Sequence, residues 1–297
     1  MAGGPQIALL PDGRRLHMLH GPIDLIVEAF GDADEVRAAY AQAQKCFQNL
    51  LATLVAELDL LKRPMAEPAP EVEGPVARRM VDACRPYRRV FVTPMAAVAG
   101  AVADEVLAAL VAGRTLARAY VNDGGDIALH LAPGERFDAG LVADLTAPAI
   151  DGVATIDAAM PIRGIATSGR GGRSLSLGIA DSVTALAADA AAADVAATLI
   201  AGAVDADDPA VERAPANTLD DDSDLGGRLV TVAVRRLSDG KVAAALAAGA
   251  DYAERLRRAG LIHGAVLVLQ RRLRFVGDVA SRLEAPSQQG GRSRKCR

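Results

Sequence analysis

A chain of 297 residues, 51% of them hydrophobic, is long enough to bury a sizeable core in one large domain or two small ones. Its net charge of −4 argues against a general nucleic-acid surface, whose affinity rests on many lysine and arginine contacts to phosphate. Aromatic residues are only 3% and tryptophan is absent, so the core has to be closely packed alanine, valine and leucine.

Cys46, Cys84 and Cys296 are far apart and odd in number, with no CxxC spacing. That fits a reducing compartment and excludes a cysteine-built zinc site. The N-terminus lacks a long apolar signal region, and the alanine-rich runs are broken by Asp and Glu before reaching ~18 apolar residues. The expectation is a soluble cytoplasmic protein that touches neither membrane nor nucleic acid.

Three antiparallel strands open the chain: 6–10, 14–19 after the Pro11-Asp12-Gly13 turn, and 23–29, where apolar and polar residues largely alternate. A helix then starts at Asp32 or Asp34, with an apolar stripe from Val36 to Leu61 that predicts about seven continuous turns. The proline-rich segment 63–75 reads as an extended surface connection. Helix is expected over 76–84, a short strand over 90–93, and a helix over 101–111 after a run of small residues. Strands at 120–121 and 127–131 flank Asn122-Asp123-Gly124-Gly125-Asp126, which suits a hairpin turn and equally a polar ligand loop. Strands follow at 154–159 and 164–167, and an acidic loop spans 205–227. A strand over 229–234, a helix over 239–256 and a hairpin of 265–269 with 273–276 complete the ordered chain. The polar, basic tail 286–297 reads as disordered.

The stretch from Gly164 to Ala203 carries the chemistry. Thr167, Ser168 and Gly169 lead into a basic glycine loop, Arg170-Gly171-Gly172-Arg173. Its backbone amides and guanidiniums could cradle a phosphate, or it could be a plain turn with solvated arginines. A strand over 182–186 and an alanine-rich helix from Ala190 come next. Asp194 and Thr198 lie one turn apart on that helix and share a face. A carboxylate beside a hydroxyl is the oxygen-only donor set of Mg2+ or Ca2+, and it is also what an early-turn acid and a back-bonded threonine look like.

Three motifs together resemble the ApbE superfamily, flavin transferases that use FAD. Met95–Asp104 (MAAVAGAVAD) is similar to the family's glycine-rich helix start. Val121–Ile127 (VNDGGDI) is similar to its Asn-Leu-Gly-Gly-Asp loop. Gly164–Gly169 with Ala193–Leu199 is similar to its Thr-Ser-Gly segment and metal helix. The resemblance implies that Asp194 and Thr198 hold Mg2+ with the backbone carbonyl of Val98, and that the glycine loop faces the phosphates of FAD or FMN. Ala99 replaces the family's lysine, and Ser176–Asp181 carries no histidine where flavin transferases have one. Covalent transfer to a protein threonine is therefore not expected.

The fold class that follows is α+β, ApbE-like and T-fold-related: antiparallel sheets covered by long helices in two similar layers, forming one unit over 1–285. The expected function is binding of a flavin or related nucleotide with Mg2+, as a transferase or hydrolase. The alternative is a non-catalytic flavin or pterin binder linked to tetrahydromethanopterin-dependent one-carbon metabolism. A homodimer is compatible with either.

Overall fold

The structure, a computed structural model, describes residues 4–141, 152–172, 174–277 and 283–284. The basic tail, Cys296 and Arg173 lie outside the described residues. Strands β1 (Gln6–Leu9), β2 (Leu16–His20) and β3 (Ile23–Gly31) form the expected antiparallel meander. Helix α1 (Ala33–Ala56) starts at Asp32, whose carboxylate accepts the amides of Asp34 and Glu35.

The apolar stripe does not run on as one helix. It is interrupted at Glu57, and a single turn, α2 (Leu58–Leu61), follows. Glu57 accepts the amides of Glu73 and Gly74 at 2.6 and 2.8 Å, tying the proline-rich connection back to the end of α1. Helix α3 (Pro75–Cys84) is as expected. The strand expected over 90–93 is absent: Val92 accepts one amide, from Met65 at 2.8 Å, and the segment joins no sheet. A 3-10 turn, Pro94–Ala97, runs into α4 (Val98–Val111), three residues ahead of the expected start. Together these span 18 residues of mean hydropathy 1.7, long and apolar enough to cross a membrane. Asp104 and Glu105 interrupt the run, and half of it is buried against its neighbours, as in a core helix.

Next come β4 (Leu116–Asp123), β5 (Asp126–Leu131), β6 (Arg136–Leu141), β7 (Gly152–Asp157), β8 (Gly164–Ser168) and β9 (Ser182–Ala187). Helix α5 (Ala190–Ala203) follows. The acidic segment 205–227 is not all loop. It contains β10 (Val211–Pro215), which pairs antiparallel with β11 (Leu229–Val234). Then α6 (Asp239–Arg258), β12 (Gly264–Leu269) and β13 (Arg272–Val276) follow, with β14 (Leu283–Glu284) the last described element.

Nine strands make one antiparallel sheet in the order β1-β2-β3-β4-β5-β8-β9-β12-β13. The order discloses a duplication. β2-β3, α1, α4, β4-β5 is followed by β8-β9, α5, α6, β12-β13, with the same connection and the same neighbour order in each half. The two similar units are halves lying side by side, joined where β5 pairs with β8. One face of the sheet carries the helices. Leu25, Val27, Met18 and Val121 point into that side and are fully buried with Phe47. On the other face β6, β7 and β14 form a three-stranded sheet over a smaller cluster, including Leu129, Ile156, Ile165 and Leu186.

Candidate functional site

The helices α4 and α5 come from different halves and meet across the seam. With so few aromatics the contact is made by small residues, and backbones approach closely. A Cβ on Gly100 would stand 2.2 Å from the Ala190 carbonyl oxygen, and one on Gly164 would stand 1.9 Å from that of Asp189. Only glycine fits at either point. Each helix also caps the other. Asp104 of α4 accepts the amides of Ala190 and Ala191, at 3.1 and 2.9 Å, on the first turn of α5. Asp194 of α5 accepts the amide of Gly100 at 3.1 Å on the first turn of α4. Two N-terminal turns, each with unsatisfied N–H groups and a partial positive charge, thus gain a carboxylate.

Asp104 was not legible as a functional residue, although a lone acid in an apolar helix start is a signal worth following. Burial raises its carboxyl to about 6, with the charge of Asp189 adding, against the lowering effect of the Ala191 and Ala190 amides. The folded state then binds the proton more tightly than the unfolded chain, whose aspartate titrates near 3.8. Its contribution to stability is complete below about pH 4 and is lost as pH rises through about 6. The loss from this group is about 3 kcal/mol. Asp104→Asn should flatten the pH 4–6 slope of urea-unfolding stability by an amount of that order. An unchanged slope would remove Asp104 as its source.

Asn122–Asp126 is a hairpin turn whose two acids also reach the site. Gly124 and Gly125 are the turn, with φ of 62° and 115°, and the Asn122 side chain accepts the Gly125 amide at 2.8 Å. Asp123 and Asp126 stand opposite each other at the ends of β4 and β5 and are buried. Asp126 accepts the Thr167 amide at 3.1 Å, which pins β8 of the second half to β5 of the first. Asp123 accepts that of Asp24 at 3.4 Å.

These acids act on Asp194. Its carboxyl is held well above the ordinary aspartate range, chiefly by burial and then by the negative charges of Asp126 and Asp123. The amides of Gly100 and Ala99 pull the other way. Thr198, one turn on, donates to Ser168 across a long 3.4 Å contact, so its oxygen is only weakly committed. Among the described residues no three His, Cys, Asp or Glu side chains are placed to share a metal. A cation here would have to use one carboxylate with hydroxyl and carbonyl oxygens. Thr198 follows Asp194 by one turn of α5, and Val98 opens the turn of α4 whose Gly100 amide Asp194 accepts.

The described amides of the glycine loop donate to backbone carbonyls. The amides of Arg170, Gly171 and Gly172 donate to the carbonyls of Ala180, Asp181 and Gly169, at 2.9, 3.3 and 3.0 Å. The Arg170 guanidinium pairs with Asp181 at 2.5 Å. Thr167 bonds to Thr184 on β9 at 2.8 Å, and Gly169 turns the chain at φ 136°. Of this stretch, Ser168 lines a cavity.

That cavity, about 220 Å³, lies beside Thr198 and Ser168. Leu175, Leu177, Leu199, Leu225 and Phe91 form its apolar wall, and Thr93, Asp224 and Tyr252 also line it. A smaller cavity of about 90 Å³ between α1 and α3 shares none of these residues. The Thr93 hydroxyl donates to Asp224. Sequence reasoning missed this wall, because Asp224 sits in an acidic run that reads as solvated. No histidine lines the pocket among the described residues.

A family model described as AbpE bacteria matches residues 7–280, and the chain belongs to that family. It is 37% identical over 151 residues to a UPF0280 protein of Methanothermobacter thermautotrophicus, covering 50% of this chain and 57% of that protein. The match therefore spans little more than half of that relative. It is 34% identical over 208 residues to the UPF0280 protein MK0206 of Methanopyrus kandleri, covering 68% of this chain and 79% of that one. Among solved structures, the ApbE protein of Thermotoga maritima overlays with a TM-score of 0.47 at 11% identity, covering 93% and 97% of the two chains. The flavin transferase ApbE of Vibrio cholerae gives 0.44 at 12%, covering 95% and 99%. Overlays this loose carry no information about individual residues.

Proposed function

We propose that the protein holds Mg2+ at Asp194, Thr198 and the Val98 carbonyl, and with it the phosphates of a flavin or related nucleotide whose ring enters the neighbouring pocket. One observation carries the reading: an aspartate beside two buried acids stands one helical turn from a weakly bound hydroxyl that lines an apolar cavity. Membership of the AbpE bacteria family supports a flavin-related role. The chain's own residues do the positioning. Asp104, Gly100 and Asp126 fix α5 and β8 across the seam, so that Thr198 and Ser168 face one another. The leucine wall excludes water from the ring. The ion, when bound, supplies polarisation of phosphoryl oxygens.

On this reading the protein is a Mg2+-dependent flavin-nucleotide transferase or hydrolase. The absence of histidine from the described pocket lining favours a second reading, a non-catalytic binder of a flavin or pterin compound, since no imidazole is at hand to deprotonate an acceptor hydroxyl. The test is incubation with FAD, Mg2+ and a threonine-bearing acceptor domain. Bound ligand, AMP and FMN are followed by chromatography and the acceptor by in-gel fluorescence. The expected result is Mg2+-dependent binding of FAD with no labelled acceptor. Conversion of FAD and water to FMN and AMP selects the hydrolase, and binding without turnover selects the binder. A labelled acceptor shows that another base replaces the histidine. No Mg2+-dependent binding or turnover would overturn the proposal.

A further inference from the structure

The nine-stranded sheet ends in two strands of opposite character. Among the described residues neither β1 nor β13 has a strand on its outer side. β13 carries Arg272 and Arg274, with Arg271 just before it, and all three are exposed. Arg272 and Arg274 share one face, so a second β13 laid antiparallel against the first sets arginine against arginine. Charge of this kind keeps an open edge from pairing. β1 has no such guard: Gln6, Ile7, Ala8 and Leu9 are uncharged. Helix α1 packs over β2 and β3, and Leu9, at the margin of the sheet, is left 56% exposed.

The backbone shows which groups of β1 are free. Leu10 donates its amide to the Arg15 carbonyl at 2.8 Å, continuing the register that pairs Ala8 with His17 and Gln6 with Leu19. Bonding alternates along an antiparallel strand, so the even-numbered residues bond to β2. The N–H and C=O groups of Ile7 and Leu9 therefore point away from the sheet. Their side chains lie on the helix side, since Ile7 stands opposite Met18 and Leu9 opposite Leu16, both core residues. Pro5 and Pro11, which have no N–H, bound this free edge at equal spacing on either side of Ala8.

We infer that β1 joins two copies of this chain in a symmetric dimer, pairing antiparallel with the β1 of the second copy about a two-fold axis at Ala8. In that register Ile7 of each copy faces Leu9 of the other, and each facing pair exchanges both of its N–H···O=C bonds. Every outward group of Ile7 and Leu9 is then used. Their apolar side chains stay on the helix side of both sheets. The smallest side chain of the strand falls on the axis, where facing residues outside the hydrogen-bonded pairs stand only about 4.5 Å apart. Slipping the register by one residue sends Ile7 and Leu9 to the wrong side of the partner's sheet. Slipping it by two sets a proline, with no N–H to give, opposite one of them. Pairing about a two-fold axis also closes, whereas β1 laid on the β13 of another copy leaves edges that go on adding chains.

Sedimentation equilibrium of the full chain, without metal or nucleotide, tests the contact. The expected mass at about 100 µM protein is that of two chains, in reversible exchange with one on dilution. Leu9→Pro removes an N–H that bonds nothing within the chain, and Ala8→Lys sets two ammonium groups across the axis from an exposed position. Each should weaken association at least tenfold while the urea midpoint of the dilute protein stays put. Leu273→Pro, the corresponding change on the β13 edge, should leave association within threefold. A wild type that remains monomeric at the same concentration overturns the inference. So does a dimer that neither β1 substitution weakens, which puts the contact on another surface. Should a variant misfold, amide exchange in the wild type decides: the Ile7 and Leu9 amides slow at least tenfold from dilute to concentrated protein, and unchanged exchange removes β1 from the contact.

Discussion

Asp194→Ala is expected to remove Mg2+ binding while the protein stays folded. The alanine-rich faces that seat α5 do not involve the carboxylate, and Ala193, Val195, Ala196, Ala197 and Ile200 stay buried without it. Stability in the absence of metal reflects two opposed terms. The Gly100 amide loses its acceptor, at a cost of about 1–3 kcal/mol. Against that, a negative charge raised in energy by burial, Asp126 and Asp123 disappears. Asp194→Asn keeps an oxygen for the Gly100 amide and isolates the effect of charge. In wild type, Mg2+ at a hundred times its Kd should add about 2.7 kcal/mol to stability, and in either variant close to none. Because the Asp194 carboxyl is held above its ordinary range, protons compete with the ion, and wild-type affinity should fall as pH is lowered. Calorimetric titration decides the matter: an affinity for Mg2+ unchanged by both substitutions takes Asp194 out of the site.

The largest loss of stability should come from Gly100→Ala, a substitution that propensity alone would favour by about 1 kcal/mol in a helix. The added carbon would meet the Ala190 oxygen at 2.2 Å, its carbonyl carbon at 2.5 Å and the Ala191 nitrogen at 2.7 Å. All three are backbone atoms of a helix turn, so no side chain can rotate aside. Relief requires α5 to move away from α4. That movement stretches the bonds from Asp104 to Ala190 and Ala191 and the bond from Gly100 to Asp194. We expect destabilisation of about 3 kcal/mol or more, at or beyond the upper end of ordinary overpacking. Mg2+ affinity should fall with it, since the turn bearing Val98 and the face bearing Asp194 no longer register. Urea unfolding measures the first and calorimetry the second. A loss below about 1 kcal/mol would mean the two helices are not locked in this way.

Much of the fold was legible locally. The meander over β1–β3 shows in the alternation of Leu16 and Met18 with His17, and of Leu25 and Val27 with Asp24 and Glu28. The cap at Asp32 and the hairpin at Gly124-Gly125 are written in residue types that favour those conformations. Errors fell where a remote partner intervened. Glu57 ends α1 because the amides of Glu73 and Gly74, beyond the proline-rich segment, take its carboxylate. The residues 90–93 carry strand-forming side chains yet find no neighbouring strand.

The site divides along the same line. Sequence by itself determined that Asp194 and Thr198 share one face of a helix, because that follows from 3.6 residues per turn, and that α4 begins in residues small enough for close approach. Tertiary structure decided what those features meet. Asp104 finds its amides 86 and 87 residues away, Asp194 caps a helix 94 residues earlier, and Thr93 reaches Asp224 across 131 residues. It also decided that the two halves lie side by side, so that Asp123 and Asp126 of one raise the carboxyl of Asp194 in the other. Periodicity is a property of neighbouring residues and survives in the one-dimensional pattern. Burial, mutual charge and amide satisfaction belong to pairs brought together only when β5 hydrogen-bonds to β8 and α4 settles against α5.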